Sequence, residues 1–193
     1  MKRQGFDPLP VLTGPSLILR PLTREDVPAL VAAAADPAIW AQHPAQDRWK
    51  PEVMVPYAEW LADEGSLVVE DAAGVAGTSR FYEAWNAPGD ISIGYTFLTR
   101  AHWGGAGNAE LKALMLEHAF RYTDHVWFHI AADNLRSQSA TAKLGARLIE
   151  ETMGPGPEPK LYHCFSVSRG AWRASPAAAT ARAAGLALDQ AES

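Results

Sequence analysis

A loop in the middle of the chain has the composition of a backbone anion-binding site. Residues 102–108, His-Trp-Gly-Gly-Ala-Gly-Asn, carry little side-chain bulk and lead directly into a predicted helix. Small residues let a ligand approach the backbone closely, and the unpaired amides of a first helical turn favour phosphate or pyrophosphate. The Gly-Lys-Ser/Thr ending of a P-loop is missing, and Glu110 stands where a G-x-G-x-x-G pattern needs its last glycine. A tight glycine turn between two elements is the alternative interpretation.

A second polar segment, Asn134-Leu135-Arg136-Ser137, lies between a predicted strand and a predicted helix. Asparagine and serine are both favoured helix caps. Taken by itself, this segment is therefore explained most simply by a structural role.

Hydrophobic periodicity predicts the elements that position these two segments. Alternating patterns predict strands, and apolar residues spaced three and four apart predict helices. The turn at Asp71–Gly74 predicts a hairpin, and Gly145 predicts the end of a short helix. The succession of elements predicts a mixed α/β (α+β) architecture. The predicted strands are 16–22, 67–70, 75–82, 91–98, 126–130, 147–150 and 161–167, and the predicted helices are 23–34, 108–122 and 137–144.

Charge and cysteine content exclude several classes of protein. The 193 residues include 17 Lys and Arg against 22 Asp and Glu, a net charge of −5, which argues against a broad nucleic-acid surface. The single cysteine, Cys164, excludes an internal disulfide and a multi-cysteine zinc site and is typical of a reducing compartment. His125 and His129 lie too far apart on a strand to share a metal. No apolar run follows Lys2 and Arg3, and no run is long enough to span a bilayer, so we expect a cytoplasmic protein that binds no membrane. From the cysteine and histidine positions we expect no metal site.

Composition also predicts where the domain begins and ends. Residues 1–15 are rich in proline and form a predicted N-terminal arm, and residues 16–172 form the predicted domain. Residues 173–193 are rich in alanine. There Ser175 followed by Pro176 predicts a helix start. Since alanine has little side chain to bury, we expect a marginal or loosely docked helix.

Taken in order, short segments of the chain resemble the Gcn5-related N-acetyltransferase (GNAT) family, and within it the RimJ/RimL-like group. The resemblance covers about residues 16–172 and implies the fold of that family. This fold is a twisted, mostly antiparallel sheet, flanked by helices, whose two central parallel strands splay apart to admit acetyl-coenzyme A. The matching segments are 19–22 with Asp26, 36–40, 76–81, 93–98, 103–105, 108–112, 118–120, 134–138 and 143–146.

The resemblance also implies a set of residues that bind acetyl-coenzyme A. The end of the strand before the loop would pair with the pantetheine arm, and the loop amides would bind the pyrophosphate. Asn134 would bind near the pantetheine end, and Ser137 near the thiol. The family's loop pattern aligns here in either of two registers, both of which keep the amides. The implied cofactor-binding residues are Thr96, Phe97, Leu98, Trp103, Gly104, Gly105, Ala106, Gly107, Asn108, Asn134 and Ser137.

Acetyl transfer to an amine requires a neutral nucleophile, a stabilised oxyanion and a proton for the departing thiolate. Ser137 is the candidate proton donor. The family's usual acid and base positions fall on Phe165, Ile149 and Ser92, so the nearby Tyr162 and Glu150 are the candidates for these roles. Glu83 and Asp90 are alternative bases, and the sequence identifies none of the three carboxylates as the base, because each is explained more simply as a solvated strand-end residue.

The acceptor amine is left open by the sequence. At pH 7 an α-amine is neutral about 10–17% of the time, whereas a lysine amine is neutral about once in 2,500. The resemblance favours a protein or peptide N-terminus. The first alternative is a small-molecule amine, such as a polyamine, an amino acid or an aminoglycoside. A strongly acidic acceptor wall would favour the polyamine or the aminoglycoside. The second alternative is a non-catalytic module that binds acyl-coenzyme A. We expect a monomer or a homodimer.

Overall fold

Eight strands form one sheet in residues 4–155 and 160–188, which this computed structural model describes. The order across the sheet is β1-β2-β3-β4-β5-β6-β8-β7. The strands are β1 (Leu12–Thr13), β2 (Ile18–Pro21), β3 (Leu67–Asp71), β4 (Gly74–Glu83), β5 (Ile91–Leu98), β6 (His125–Ala131), β7 (Arg147–Met153) and β8 (Leu161–Ser168). The helices are α1 (Val27–Ala33), α2 (Pro37–Trp40), α3 (Pro51–Asp63), α4 (Ala106–Ala119), α5 (Leu135–Ala142), α6 (Arg169–Arg173) and α7 (Pro176–Ala183), with short 3-10 turns at Arg24–Asp26 and Arg100–His102.

The two central strands, β5 and β6, are parallel and separate soon after they begin. Their pairing is confined to Ile91 with Val126 and Ser92 with Trp127, although both strands continue for several residues. The other neighbouring strands pair in antiparallel fashion. The splayed, mostly antiparallel sheet confirms the predicted fold class. The cleft that opens beyond Ser92 and Trp127 is called the splay below.

Helices cover both faces of the sheet. The face under α4 buries apolar side chains of β5 and β6, among them Ile93 and Phe128, against Leu111 and Met115 of the helix. On the other face, α1–α3 pack over Phe97 and neighbouring apolar residues. Because successive side chains of a strand alternate between faces, each strand of the splay presents residues to both sides.

A bulge in β5 lies on the strand that forms one side of the splay. The β4–β5 register shifts between Thr78 and Arg80, so that Ser79 faces two residues, Tyr95 and Thr96. Tyr95 has φ +54, in the left-handed region that non-glycine residues rarely adopt. The extra residue re-aims the side chains of β5 toward the splay.

Two predicted helices begin earlier than expected. Helix α4 starts at Ala106 rather than Asn108, and α5 starts at Leu135 rather than Ser137. Ser137 is therefore inside the first turn of α5, and Asn134 caps that turn by accepting a hydrogen bond from the Ser137 amide at 3.2 Å. Gly145 takes φ +81 just beyond the helix, as expected of a terminating glycine.

The C-terminal helix is docked on α4 rather than loosely attached. Ser175 caps α7 through the Ala178 amide, as its sequence predicts. Ala178 and Ala181 are fully buried in the core cluster that includes α4. The expectation of loose docking is wrong because small side chains let two helices approach closely. Residues 1–3 of the predicted arm and 189–193 of the predicted tail lie outside the described residues. Within the part of the chain that the structure describes, no helix is long and apolar enough to cross a bilayer.

Candidate active site

The loop before α4 leaves the helix N-terminus open to a ligand. Gly105 is the N-cap residue, and no side chain caps the first turn. A Cβ at Gly104 would meet no atom within 4 Å, whereas one at Gly107 would lie 2.6 Å from His102 Nδ1. Thus Gly107 is required for the loop to close on the helix, and the first-turn amides are available to an anion.

Side chains from three elements hold this loop. His102 Nε2 lies 2.7 Å from Asp71 Oδ2 of β3, and His102 holds the pKa of this carboxyl below its usual range. Trp103 Nε1 donates to the Leu98 carbonyl at 3.0 Å. The Arg136 guanidinium lies 4.5 Å from the Trp103 ring centroid, a cation–π distance. Through Trp103 and Arg136, the structure brings the glycine-rich loop together with the Asn134–Ser137 segment.

A buried polar cluster lies inside the splay. Thr96 Oγ1 is 2.7 Å from Ser79 Oγ and accepts a hydrogen bond from Lys112 Nζ at 2.9 Å. Lys112 is only 8% exposed, and burial lowers the pKa of its amine to about 7. Lys112 is not among the site residues predicted from the sequence. One signal could have revealed it: Lys112 lies next to Leu111 and four residues before Leu116, a spacing that puts it on the buried side of the helix.

A hydrogen-bonded network occupies the sheet face opposite α4. Phe128 and Ile130 point toward α4, so His129 between them points to the opposite side. His129 Nδ1 lies 2.8 Å from Tyr82 Oη, and its Nε2 lies 2.6 Å from Asn86 Oδ1. Asn86 Nδ2 donates to Glu150 Oε1 at 2.7 Å. Since an amide oxygen can only accept, we assign the His129 proton to Nε2 and the accepting role to Nδ1.

Burial sets the protonation state of this network. Desolvation lowers the pKa of His129 to about 4, so its imidazole is neutral at neutral pH. Burial also raises the pKa of Tyr82, whose phenol therefore remains a donor. The ring of Trp85 stacks on His129 with centroids 4.4 Å apart, and this contact excludes water from one side of the imidazole.

The structure brings two of the three predicted catalytic residues to this network. Tyr162 pairs with Ala131 in the β6–β8 register, and its ring centroid lies 6.0 Å from that of Trp85. Glu150 accepts the hydrogen bond from Asn86 Nδ2 and is thereby joined to His129 through Asn86. Ser137 is apart from them, in the first turn of α5 beside Arg136. The alternative bases are engaged elsewhere: Glu83 accepts from the Gly89 amide, and Asp90 accepts from Trp127 Nε1.

Aromatic rings continue from this network across the same sheet face as far as α3. Neighbouring ring centroids in this set, which we call the aromatic wall, lie 4.4–6.0 Å apart, with the His129 ring in the middle of the series. Arg80 lies 5.4 Å from two of the rings and pairs with Glu64 at 3.0 Å. The wall is therefore aromatic rather than strongly acidic. Its members are Tyr57, Trp60, Tyr95, Tyr82, Trp85 and Tyr162.

A sheet that splays beside an uncapped helix N-terminus has the shape expected of a protein that binds acyl-coenzyme A. Residues 16–147 match the family model for the acetyltransferase (GNAT) domain, and the chain belongs to this family. The reaction of the family is acyl transfer from acetyl-coenzyme A. No curated protein sequence matches the chain at a significant level.

Solved structures with the same fold are distant in sequence. A GCN5-related N-acetyltransferase from Brucella melitensis is 18% identical, with a TM-score of 0.73 over 94% of this chain and 88% of that one. Mycobacterium smegmatis RimJ in complex with CoA-disulfide is 19% identical, with a TM-score of 0.63 over 93% of each chain. An aminoglycoside acetyltransferase in complex with coenzyme A and kanamycin is 19% identical, with a TM-score of 0.59 over 82% of this chain and 98% of that one.

The residues present fit acetyl-coenzyme A. The uncapped first turn of α4 suits a pyrophosphate, and the open space at Gly104 leaves room for it. Beyond Ser92 and Trp127, the facing edges of β5 and β6 no longer pair with each other. A strand edge without a partner strand suits an extended chain that carries amide groups, such as pantetheine.

Proposed function

We propose that the protein is an N-acetyltransferase of the RimJ/RimL-like group that transfers acetyl directly to a primary amine, preferably the α-amine of a protein or peptide. The observation that carries the proposal is the aromatic wall with a neutral, hydrogen-bonded His129 at its centre. Its carboxylates already have partners, because Glu64 pairs with Arg80 and Glu150 accepts from Asn86. Such a wall suits an acceptor with one amine and apolar surface better than a polycation.

Three residues have proposed roles in the reaction. Glu150 accepts the proton that the acceptor amine loses, and Tyr162 offers its hydroxyl beside it. A weak base is enough for an α-amine, because about a tenth of it is already neutral at pH 7. Ser137 donates to the departing thiolate. The thioester supplies the activated acetyl group when acetyl-coenzyme A is bound.

The residues proposed to hold acetyl-coenzyme A belong to β5, the loop and α5. Thr96, Phe97 and Leu98 face the pantetheine arm, and residues 103–108 supply amides to the pyrophosphate. Asn134 uses its Oδ1 to cap α5, so its amide nitrogen is the group we assign to the cofactor.

Direct transfer is favoured because the chain has no cysteine able to carry an acetyl group. Its single cysteine, Cys164, is fully buried, as expected of a small apolar core residue. Burial raises the pKa of its thiol to about 11, so the nucleophilic thiolate is disfavoured at neutral pH.

Two measurements test the proposed function. Calorimetry with acetyl-coenzyme A should show binding, and a thiol-release assay should show turnover on peptides with free N-termini above that on polyamines, amino acids and aminoglycosides. Turnover confined to small amines would reassign the acceptor. Binding without turnover on any amine would identify a non-catalytic module.

A matched pair of variants tests the proposed base. Glu150→Gln should lower kcat at least tenfold, since proton transfer by a positioned group contributes about 10²–10⁴-fold in general. Glu151→Gln on the same strand is the control, because Glu151 contacts His163 at 3.4 Å instead of the network. Equal kcat values in the two variants would remove Glu150 from the mechanism.

A further inference from the structure

Lys112 is a buried amine on the α4 side of the splay, and the proposed function does not use it. Its Nζ contacts Thr96 of β5 and lies 5.7 Å from the ring centroid of Phe128 of β6. Phe128 directly follows Trp127, the last residue of β6 that pairs with β5. The amine therefore contacts both strands of the splay from the α4 side, beyond the point where they separate.

Helix α4 runs along the splay, from the predicted anion-binding turn at its N-terminus to Lys112. The helix begins at Ala106, and Lys112 is six residues further on, about 9 Å along the axis at 1.5 Å per residue. A cofactor whose pyrophosphate lies at the first turn would thus extend its thioester end toward Lys112. For transfer to occur, the thioester must lie within reach of the acceptor amine. The proposed function places that amine at the aromatic wall, on the opposite face of the sheet.

The surroundings of Lys112 provide no counter-charge. In the described ranges 4–155 and 160–188, Lys112 is in no ion pair, and burial alone lowers its pKa. The groups that face it, Thr96 with Ser79 behind it and Phe128, carry no charge.

The two carboxylates of α4 itself are engaged away from the amine. Glu110 accepts hydrogen bonds from Ser16 and Leu17, and Glu117 accepts one from Trp172 Nε1. A buried ammonium without a partner is unfavourable, so an anion that enters the splay would be attracted to it.

We propose that the Lys112 ammonium stabilises the negative charge that develops on the sulfur of coenzyme A when the acetyl group leaves. This role rests on the proposed direct transfer. The acceptor nitrogen forms a bond to the acetyl carbon as the carbon–sulfur bond breaks, and the bonding electron pair stays on sulfur. The nitrogen loses one proton to Glu150 or water. The sulfur anion pairs with Lys112 and then takes a proton through the hydroxyl of Ser137 or from solvent, so that charge and protons balance.

The low-dielectric surroundings make this charge effective. Fixed charges and dipoles aimed at developing charge in a water-excluded site stabilise a transition state far more than they do in water. A neutral methionine of similar length would keep the packing and remove the effect. An arginine would keep a positive charge in the splay.

The test measures the thiol of coenzyme A in the binary complex, and no acceptor is needed. Ultraviolet absorbance of the thiolate is followed as a function of pH for coenzyme A bound to the wild type, Lys112→Met and Lys112→Arg. In the wild type the thiol should titrate at least one pH unit below the ordinary value of about 8.5. Lys112→Met should abolish this shift and lower kcat about 100-fold while changing the coenzyme A Kd less than threefold, and Lys112→Arg should restore part of the shift.

Three results would overturn the assignment. The bound thiol could titrate identically in the wild type and Lys112→Met. Both variants could lose coenzyme A binding, which would make Lys112 a residue that holds the cofactor. Intact mass spectrometry after incubation with acetyl-coenzyme A could instead find Lys112 itself acetylated. Because the thiol titration needs no acceptor, failure of every amine in the turnover panel would count against the proposed function alone.

Discussion

Replacing Lys112 by methionine should stabilise the protein in the absence of cofactor, and the gain should shrink as the pH rises. Folding places the Lys112 amine in an environment that lowers its pKa from 10.5 to about 7. Between these two values the unfolded chain binds more protons than the folded chain, so the stability of the wild type rises with pH. Methionine has no proton to bind, so it removes this dependence.

The expected size of the effect follows from the two pKa values. Each pKa unit corresponds to about 1.36 kcal/mol. Burial of a group that titrates at about 7 instead of 10.5 therefore costs about 4 kcal/mol at pH 7 and about 2 kcal/mol at pH 9. The absolute gain also includes any change in packing. The decrease of about 2 kcal/mol between the two pH values isolates the charge, because packing is the same at both.

Urea denaturation at pH 7 and pH 9, without acetyl-coenzyme A, measures the free energy of unfolding of each protein. Lys143→Met is the control, because Lys143 is exposed and its side chain stays in water when the chain folds. We expect this control to differ from the wild type by the same amount at both pH values. A gain for Lys112→Met that is equal at pH 7 and pH 9 would show that folding does not lower the pKa of Lys112, and would refute the reasoning.

Two further predictions concern the loop and the C-terminal helix. Gly107→Ala places a Cβ 2.6 Å from His102 Nδ1 and should weaken acetyl-coenzyme A binding at least tenfold by calorimetry. Gly170→Ala, in α6 and outside the loop, is the control, because its Cβ would meet no atom within 4 Å, and it should change the Kd little. Equal affinities would show that the loop can adjust without moving its amides. Ala178→Asp buries a carboxylate against α4 and should lower the free energy of unfolding by about 3 kcal/mol, while Ala179→Asp on the exposed side of α7 should stay within about 0.5 kcal/mol. A small effect at both positions would mean that α7 contributes little to folding.

Lys112 illustrates how stability and function can oppose each other in one residue. An unpaired amine lowers the stability of the cofactor-free chain, yet the same missing counter-charge leaves it able to pair with an anion. Binding of such an anion would return part of the lost stability, because ligands that bind only the folded state stabilise it. The Lys112→Met variant should therefore be more stable without cofactor and less active with it.

The sequence predicted those parts of the fold that depend on neighbouring residues. The alternation in 91–98 gave the bounds of β5, and the turn at Asp71–Gly74 gave the β3–β4 hairpin. Ser175 and Gly145 marked helix ends through local hydrogen bonding and backbone conformation. The glycine-rich loop was recognisable because the role predicted for it uses backbone amides and not side chains. Each of these features is encoded within a few residues, so that periodicity and capping are enough to find it.

The candidate site was less predictable, because its side chains come from distant parts of the chain. The network of Tyr82, Asn86, His129 and Glu150 joins the end of β4 and the turn after it to β6 and β7, which lie far apart in sequence and share one face of the sheet in the order β4-β5-β6-β8-β7. In the sequence, the spacing of His125 and His129 bears only on whether the two could share a metal. The sequence supplied Tyr162 and Glu150 as candidates, but it contained no sign of the imidazole that lies between them in the structure.

The sequence by itself determined the order of the elements, the glycine-rich loop and the family that the chain resembles. Only the tertiary structure decided which side chains share an environment. A hydrophobic pattern tells which face of a helix is buried but not what it is buried against, so Lys112 read as one polar residue in an amphipathic helix. Its distinctive property, an amine without a counter-charge that contacts two separating strands, arises from the desolvation produced by β5 and β6 together. Desolvation depends on every surrounding atom, and the chain acquires it only when distant segments pack.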